Sequence, residues 1–362
     1  MKKSLVALAA FSAMSAFADV DVSGGIKLYG VLDQAFMNQE WKKAATGATR
    51  VTNNGFFGAG ATSRFGIKGA RDLGDGIKGT IQVEMELAPD DKALLTADKN
   101  RGTFVGLEKA EFGSIRLGTQ ETTAYEVFGM DVNGRVEYKP QVWRYTATDS
   151  IQDRANNAFK ITSPEFKGFS VIYMRGYNEA LSTAASTKDF SSWGVKYKSG
   201  AIQAAVVTDE LNNTSAKYTL PGTGNAGLAG PTKDEITYAT TASADSIRRD
   251  IASLSYDMDF AKFNYIYADS RIAGKGQLNT NTIGVRVPVD KATFALSYGA
   301  GDYANAAGTT KGDVSDTTFG AYYNFDKSTA VYLFYSNQTH NNAATSQKGY
   351  TNTTALGAQY RF

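Results

Sequence analysis

The sequence predicts an all-β protein, a transmembrane antiparallel β-barrel of about sixteen strands. Three observations carry that prediction. First, the chain ends on a strand pattern: Leu356, Ala358, Tyr360 and Phe362 alternate with Gly357, Gln359 and Arg361. Strand side chains point alternately to opposite faces, so this segment has one apolar and one polar face. Second, Ile77, Gly79, Ile81, Val83, Met85 and Leu87 alternate with Lys78, Thr80, Gln82, Glu84 and Glu86. A clean strand of about ten residues is what a tilted strand needs to cross a bilayer. Third, connections of a few residues alternate with long polar ones along the chain, the asymmetry of barrel turns and loops.

The elements follow in order. Ile26–Asp33 opens the series, and Ser63–Gly69 follows a polar loop. A tight turn at Asp72-Leu73-Gly74-Asp75-Gly76 leads into the strand at 77–87. Thr103–Leu107 returns through Glu111-Phe112-Gly113 into Ser114–Gly118. Phe159–Ile161 turns at Pro164 through Gly168 into Phe169–Tyr173. Trp193–Tyr197 turns at Ser199-Gly200 into Ile202–Val206. Later come apolar faces at Ala252, Leu254, Tyr256 and Met258, then Phe263, Tyr265 and Tyr267. Ile283–Val287 precedes Phe294, Leu296 and Tyr298. Phe319–Phe325 turns at Asp326-Lys327-Ser328 into Val331, Leu333 and Tyr335. Long polar loops are expected at 38–60, 210–246, 301–316 and 338–350. Closure is required because an open strand edge in lipid leaves backbone groups without water. A closed sheet of this strand number encloses an aqueous channel.

The N-terminus reads as a secretory signal over residues 1–18, leaving 19–362 as the barrel. Lys2 and Lys3 precede the apolar Leu5–Phe11, and Ala16-Phe17-Ala18 fits a small-x-small cleavage site. The apolar stretch is too short to span a bilayer, and the rest of the chain holds no run long enough for a membrane helix. Without Lys2 and Lys3 the basic residues fall from 38 to 36, matching 36 acidic ones. Overall charge therefore gives no reason to expect a nucleic-acid partner. There is no cysteine. An exported chain without disulfides must be held by its ladder and packing.

Leu28-Tyr29-Gly30-Val31-Leu32-Asp33, Ser63-Arg64-Phe65-Gly66-Ile67-Lys68-Gly69, Asp72-Leu73-Gly74-Asp75-Gly76 and Phe112-Gly113-Ser114-Ile115-Arg116-Leu117-Gly118 resemble the Gram-negative general porins, in particular their β-proteobacterial branch. The motif match is strongest over residues 22–130. The resemblance implies a sixteen-stranded, homotrimeric, water-filled diffusion channel in the outer membrane. It also implies a third external loop folded into the lumen, from near Thr122 to about Asn157, and a terminal Tyr360–Phe362 signal read by the outer-membrane assembly machinery. One departure is Thr119, where the family usually carries Arg.

Parity selects the candidate wall residues. With Phe65 and Ile67 facing lipid, Arg64 and Lys68 face inward; Leu28 and Leu32 likewise place Lys27, Tyr29 and Asp33 inside. Arg116 and Arg286 follow from their apolar neighbours, and the parity of Arg101 is ambiguous. On the loop, Glu126 and Asp131 are the first acidic candidates, in a segment that also holds Glu137, Asp149, Asp153, Arg135, Lys139, Arg144 and Arg154. Opposed charges across a narrow path orient ions and water there. His340, the only histidine, is read as an external-loop residue. No catalytic or metal constellation, and no cofactor motif, is expected. The reading is passive passage of small hydrophilic solutes and ions. The alternatives are a channel selective for organic or phosphate anions, and a barrel enzyme or adhesin with a plugged lumen.

Overall fold

A computed structural model describes residues 20–42, 50–89, 100–133, 154–177, 189–214, 218–219, 237–238, 245–273, 276–305, 311–342 and 347–362. Its strands are β1 (Val20–Ser23), β2 (Ile26–Lys42), β3 (Arg50–Gly58), β4 (Arg64–Gly74), β5 (Ile77–Glu86), β6 (Asn100–Lys109) and β7 (Gly113–Glu121). A single helical turn, α1 (Tyr125–Phe128), precedes β8 (Arg154–Thr162), β9 (Phe169–Gly176), β10 (Asp189–Ser199) and β11 (Ile202–Thr214). Two short strands, β12 (Tyr218–Thr219) and β13 (Thr237–Tyr238), pair only with each other. Then come β14 (Asp245–Asp257), β15 (Lys262–Ile272), β16 (Gly276–Val289), β17 (Ala292–Asn305), β18 (Lys311–Asn324), β19 (Thr329–Asn342) and β20 (Gln347–Arg361).

Consecutive strands pair antiparallel around the sheet, and β20 closes on β2 over Val31–Lys42. The result is a closed 16-strand barrel. β3 and β4 share one stave, because both pair with the same edge of β2: β3 with its upper half and β4 with its lower half. β1 prolongs the opposite edge below the end of β20. The closure spares every stave an open edge, the condition that lipid imposes.

Alternation decides the two faces. Leu254, Tyr256, Phe263, Tyr265, Ile283, Leu296, Tyr298, Leu333, Tyr335 and Leu356 are exposed on the outside, while their neighbours Ser253, Ser255, Asn264, Thr282, Ser297 and Ser336 are buried inside. Apolar-out, polar-in is the reverse of a soluble core and fits a lipid-facing wall.

Several expectations need correction. The long loops at 38–60, 301–316 and 338–350 are largely strand: β2 runs to Lys42, β17 and β18 enclose only residues 306–310, and β19 and β20 run to Asn342 and from Gln347. These strand ends carry polar residues on both faces, which hides them from an apolar-alternation reading but does not stop ladder pairing. His340 accordingly lies in β19, buried and opposite Val314 and Gly349. Asn157 belongs to β8, not to the preceding loop. Residues 1–19 lie outside the described residues.

Candidate functional site

The inner wall carries most of the charges that parity selects. On β4, Arg64 faces inward beside Glu84 of β5, at 3.9 Å, and Lys68 sits 4.8 Å from the centre of the Tyr29 ring. The Tyr29 hydroxyl donates to Glu84 at 2.9 Å. Arg101 joins the same carboxylate, its Nε donating at 2.8 Å. Its ambiguous parity has a physical cause. The β5–β6 register slips between Glu84 and Met85, so Arg101 is the extra residue of a bulge. A bulge re-aims one side chain, here to the inside. Glu84 is thus a partner that one-strand parity could not identify, since it meets the two arginines only across strands.

Arg116 on β7 lies over the Phe104 ring, 4.9 Å from its centre. Lys27 lies opposite Lys68 in the β2–β4 ladder, at the lower end of the wall. Arg286 on β16 alternates with outward Val285 and Val287 and donates through Nη2 to the carbonyl of Val132. All six basic candidates therefore lie on the inner face, spread over five strands, with Lys27 and Lys68 level with each other at the lower end.

The segment after β7 meets this wall. Glu126 on α1 bridges two lysines not selected from the sequence: Lys160 of β8 at 3.3 Å and Lys196 of β10 at 3.1 Å. Burial pushes the Glu126 carboxyl up, but the two ammonium groups outweigh it and hold the group at about 2. Ala124, Val127 and Met130 pack on Ala205 and Val207 of β11, Ile251 of β14 and Ile266 and Ala268 of β15. Further along, Lys262 Nζ donates to the carbonyl of Gly129 at 3.3 Å and Val132 N to Asn264 Oδ1 at 3.3 Å. Asp131 is buried and accepts from the Asn133 backbone at 2.9 Å. Asn133 Nδ2 reaches Ser297 Oγ of β17 at 2.8 Å and the Thr318 carbonyl of β18 at 3.4 Å. Residues 122–133 thus touch groups on strands from β8 to β18. The loop candidates Arg135, Glu137, Lys139, Arg144, Asp149 and Asp153 lie outside the described residues; Arg154 begins β8 and pairs with Glu121 at 2.9 Å.

The docking patch left a trace in the sequence. Ala204 to Val207 and Tyr265 to Ala268 are apolar on both parities. Lipid explains one face; the other needs a protein cover. A buried ion pair lies at the edge of this patch. Arg249 Nη2 and Asp209 Oδ2 are 2.7 Å apart, Ser192 Oγ donates to Asp209 at 2.6 Å, and the Thr123 backbone donates to Ser192 at 3.3 Å.

The barrel seam has its own polar node. Asp33 accepts from the Gly60 backbone at 2.7 Å, the Tyr332 hydroxyl at 2.5 Å and Gln359 Nε2 at 2.7 Å. It ties β2, β19, β20 and the link between β3 and β4. Phe362 completes the closure: its carbonyl and amide exchange hydrogen bonds with Gly30 at 2.8 and 3.2 Å. Its ring lies where a Cβ on Gly30 would be, so the ring's seat requires glycine there.

Among the described residues, no group of three or more metal-ligating side chains occurs. A family model described as Gram-negative porin matches residues 4–344. Outer membrane porin protein 32 of Delftia acidovorans is 28% identical over 347 residues, covering 92% of this chain and 88% of that protein. An outer membrane porin protein of Bordetella pertussis is 23% identical over 403 residues and spans 100% of both chains. Among solved structures, the anion-selective porin from Comamonas acidovorans superposes with a TM-score of 0.71 at 20% identity, over 93% of this chain and 99% of that one.

Proposed function

The chain belongs to the Gram-negative porin family, and from that premise we infer that its barrel is a passive, water-filled path for small hydrophilic solutes and ions across the outer membrane. The observation that carries the reading is the closed 16-strand wall with charged side chains directed inward. A wide polar lumen with low-dielectric walls passes solutes without a binding-and-release chemistry.

Residues 122–133 are assigned as the part of the third loop that narrows this path. Their contacts run from β8 to β18, and from the end of β7 to β18 the wall measures nine strand spacings of ~4.8 Å, about 43 Å. A segment with one helical turn reaches only about 32 Å. Shorter than that arc, it lies inside the wall, packed on the inner faces of β11, β14 and β15, and takes up part of the lumen. Glu126 and Asp131 then face a wall bearing Arg64, Lys68, Arg101, Arg116, Lys160, Lys196, Lys262 and Arg286. Asp33, Glu86, Asp209 and Asp316 share the inner face with Glu84, Glu126 and Asp131, and Lys27 and Arg249 share it with the bases. These ten basic side chains still outnumber the seven acidic ones, which favours a second, finer reading: the path prefers anions. Planar-bilayer reversal potentials in a salt gradient test it. A potential on the anion side supports the reading, and one on the cation side defeats it.

Homotrimeric assembly belongs to the same proposal. Leu32, Asp33 and Gln34 of β2 lack a ladder partner on the β3–β4 side. Gln34 faces outward by alternation with Asp33, and its amide nitrogen is buried with no hydrogen-bond partner. Ser63 Oγ meets the Asp33 amide and carbonyl in this gap, so the group left over is the Gln34 side-chain amide, which a neighbouring subunit would satisfy. The N-terminal signal over residues 1–18 and recognition of Phe362 by the assembly machinery complete the proposal.

A further inference from the structure

The outer wall carries one feature that solute passage does not use. Register places Arg248 of β14 directly opposite Arg271 of β15, and Asp250 directly opposite Asp269. Like charges directly opposed on one sheet face repel and destabilise the pairing. Both pairs point outward, continuing the exposed series Leu254, Tyr256 on β14 and Phe263, Tyr265 on β15. Each arginine is held by the aspartate two residues away on its own strand. Arg248 Nε donates to Asp250 at 2.9 and 3.0 Å, and Arg271 donates through Nε to Asp269 at 2.8 Å and through Nη2 as well. The aspartates are fixed in turn: Thr208 donates to Asp250 at 2.7 Å and Gln277 to Asp269 at 3.4 Å. The two guanidinium side chains remain 51% and 56% exposed.

Height fixes what such a pair meets. Each arginine lies roughly nine residues above the short turn joining β14 to β15. At ~3.4 Å per residue and a tilt of ~40° that is about 23 Å. The lipid-facing apolar band of such barrels is about 25 Å tall. The guanidinium groups therefore stand at its external edge, where lipid headgroups begin. In the sheet order the β14–β15 pair lies six staves from the β2–β20 seam, away from the gap assigned to subunit contact.

We propose that Arg248 and Arg271 form a two-guanidinium clamp for the phosphate headgroup of a lipid in the external leaflet. Facing strands bring the two arginines within ~5.5 Å at their Cα atoms, a spacing that lets two planar forks share one tetrahedral phosphate. The aspartates aim the arginines and keep the patch neutral before the lipid arrives. The phosphate oxygens then accept from the edges of the two guanidinium groups that remain exposed. The clamp rests on the outer-membrane placement, not on the selectivity of the lumen.

The test uses the full-length protein purified in detergent, with bis-phosphorylated lipid A as the probe and native mass spectrometry as the readout. The variant is the charge-neutral quadruple Arg248→Gln, Asp250→Asn, Asp269→Asn, Arg271→Gln, which orphans no charge. Single-channel conductance on the same preparation establishes that the barrel has assembled. The expected result is unchanged conductance with at least tenfold weaker retention of bis-phosphorylated lipid A. Dephosphorylated lipid A should bind both proteins equally weakly. Millimolar inorganic phosphate should not displace the lipid from the unmodified protein. Equal retention of the phosphorylated lipid by both proteins overturns the clamp, as does full displacement by inorganic phosphate, which would make the site one for free anions. If the variant does not assemble, Arg248→Lys/Arg271→Lys replaces it; a point charge cannot reproduce the fork, so retention equal to the unmodified protein again overturns the proposal.

Discussion

Arg64 acquires its meaning from neighbours that lie on other strands. Its own strand parity directs it inward, and that much is legible in the sequence. The carboxylate it meets, Glu84, and the second arginine there, Arg101, are visible only once β4, β5 and β6 are in register. The same holds for Lys160 and Lys196, separated from Glu126 by 34 and 70 residues. Arg64→Glu should shift the reversal potential toward cations, and the shift should shrink in high salt, because screening acts over ~8 Å at physiological ionic strength. Lys348→Glu, at the outer start of β20 rather than in a loop, should do little. If neither change moves the potential, Arg64 does not act on the ion path. The Glu126 bridge has a pH signature. Its folded value of about 2 lies below the ordinary 4.5. It therefore stabilises the docked segment fully above about pH 4.5, and that contribution is lost as pH falls through about 2. Conductance recorded from pH 7 downward should hold steady to about pH 3 and change near pH 2. Glu126→Gln should abolish that step; an identical step in the variant would assign it to another group.

At the scale of the element, strand existence and face were legible because lipid demands apolar side chains at every second position. Strand ends were not, since β16 to β20 run on past the lipid-facing band on residues such as Asn337, Thr339 and Asn352, polar in alternation and outside it. The Arg101 bulge was invisible for a related reason: a one-residue slip leaves no mark in composition. Two predictions belong here. Deleting Phe362 removes both hydrogen bonds to Gly30 and should lower outer-membrane levels far more than Arg361→Ala, measured by fractionation. Equal and normal levels of the two variants would remove Phe362 from assembly. Arg249→Ala leaves Asp209 buried without its countercharge. It should destabilise the barrel by about 3–5 kcal/mol, read as a lowered midpoint in urea-driven unfolding from detergent. A midpoint unchanged from the unmodified protein would mean that solvent reaches this pair.

The whole molecule joins these parts into one path: a closed wall, basic side chains along its inner face, and a segment after β7 whose contacts reach β18. Closure and the count of about sixteen strands could be read from the alternation of short and long connections. The seat of that segment could not, although the doubly apolar stretches of β11 and β15 recorded it. Native mass measurement in mild detergent should find three subunits; a stable conducting monomer would leave Gln34 and the gap beside it to lipid. The central claim, an open diffusion path, is tested most directly by single-channel recording of the purified protein in a planar bilayer. The account predicts stepwise current increments that rise linearly with salt concentration, with a reversal potential on the anion side. Assembled barrels that give no current steps would contradict it.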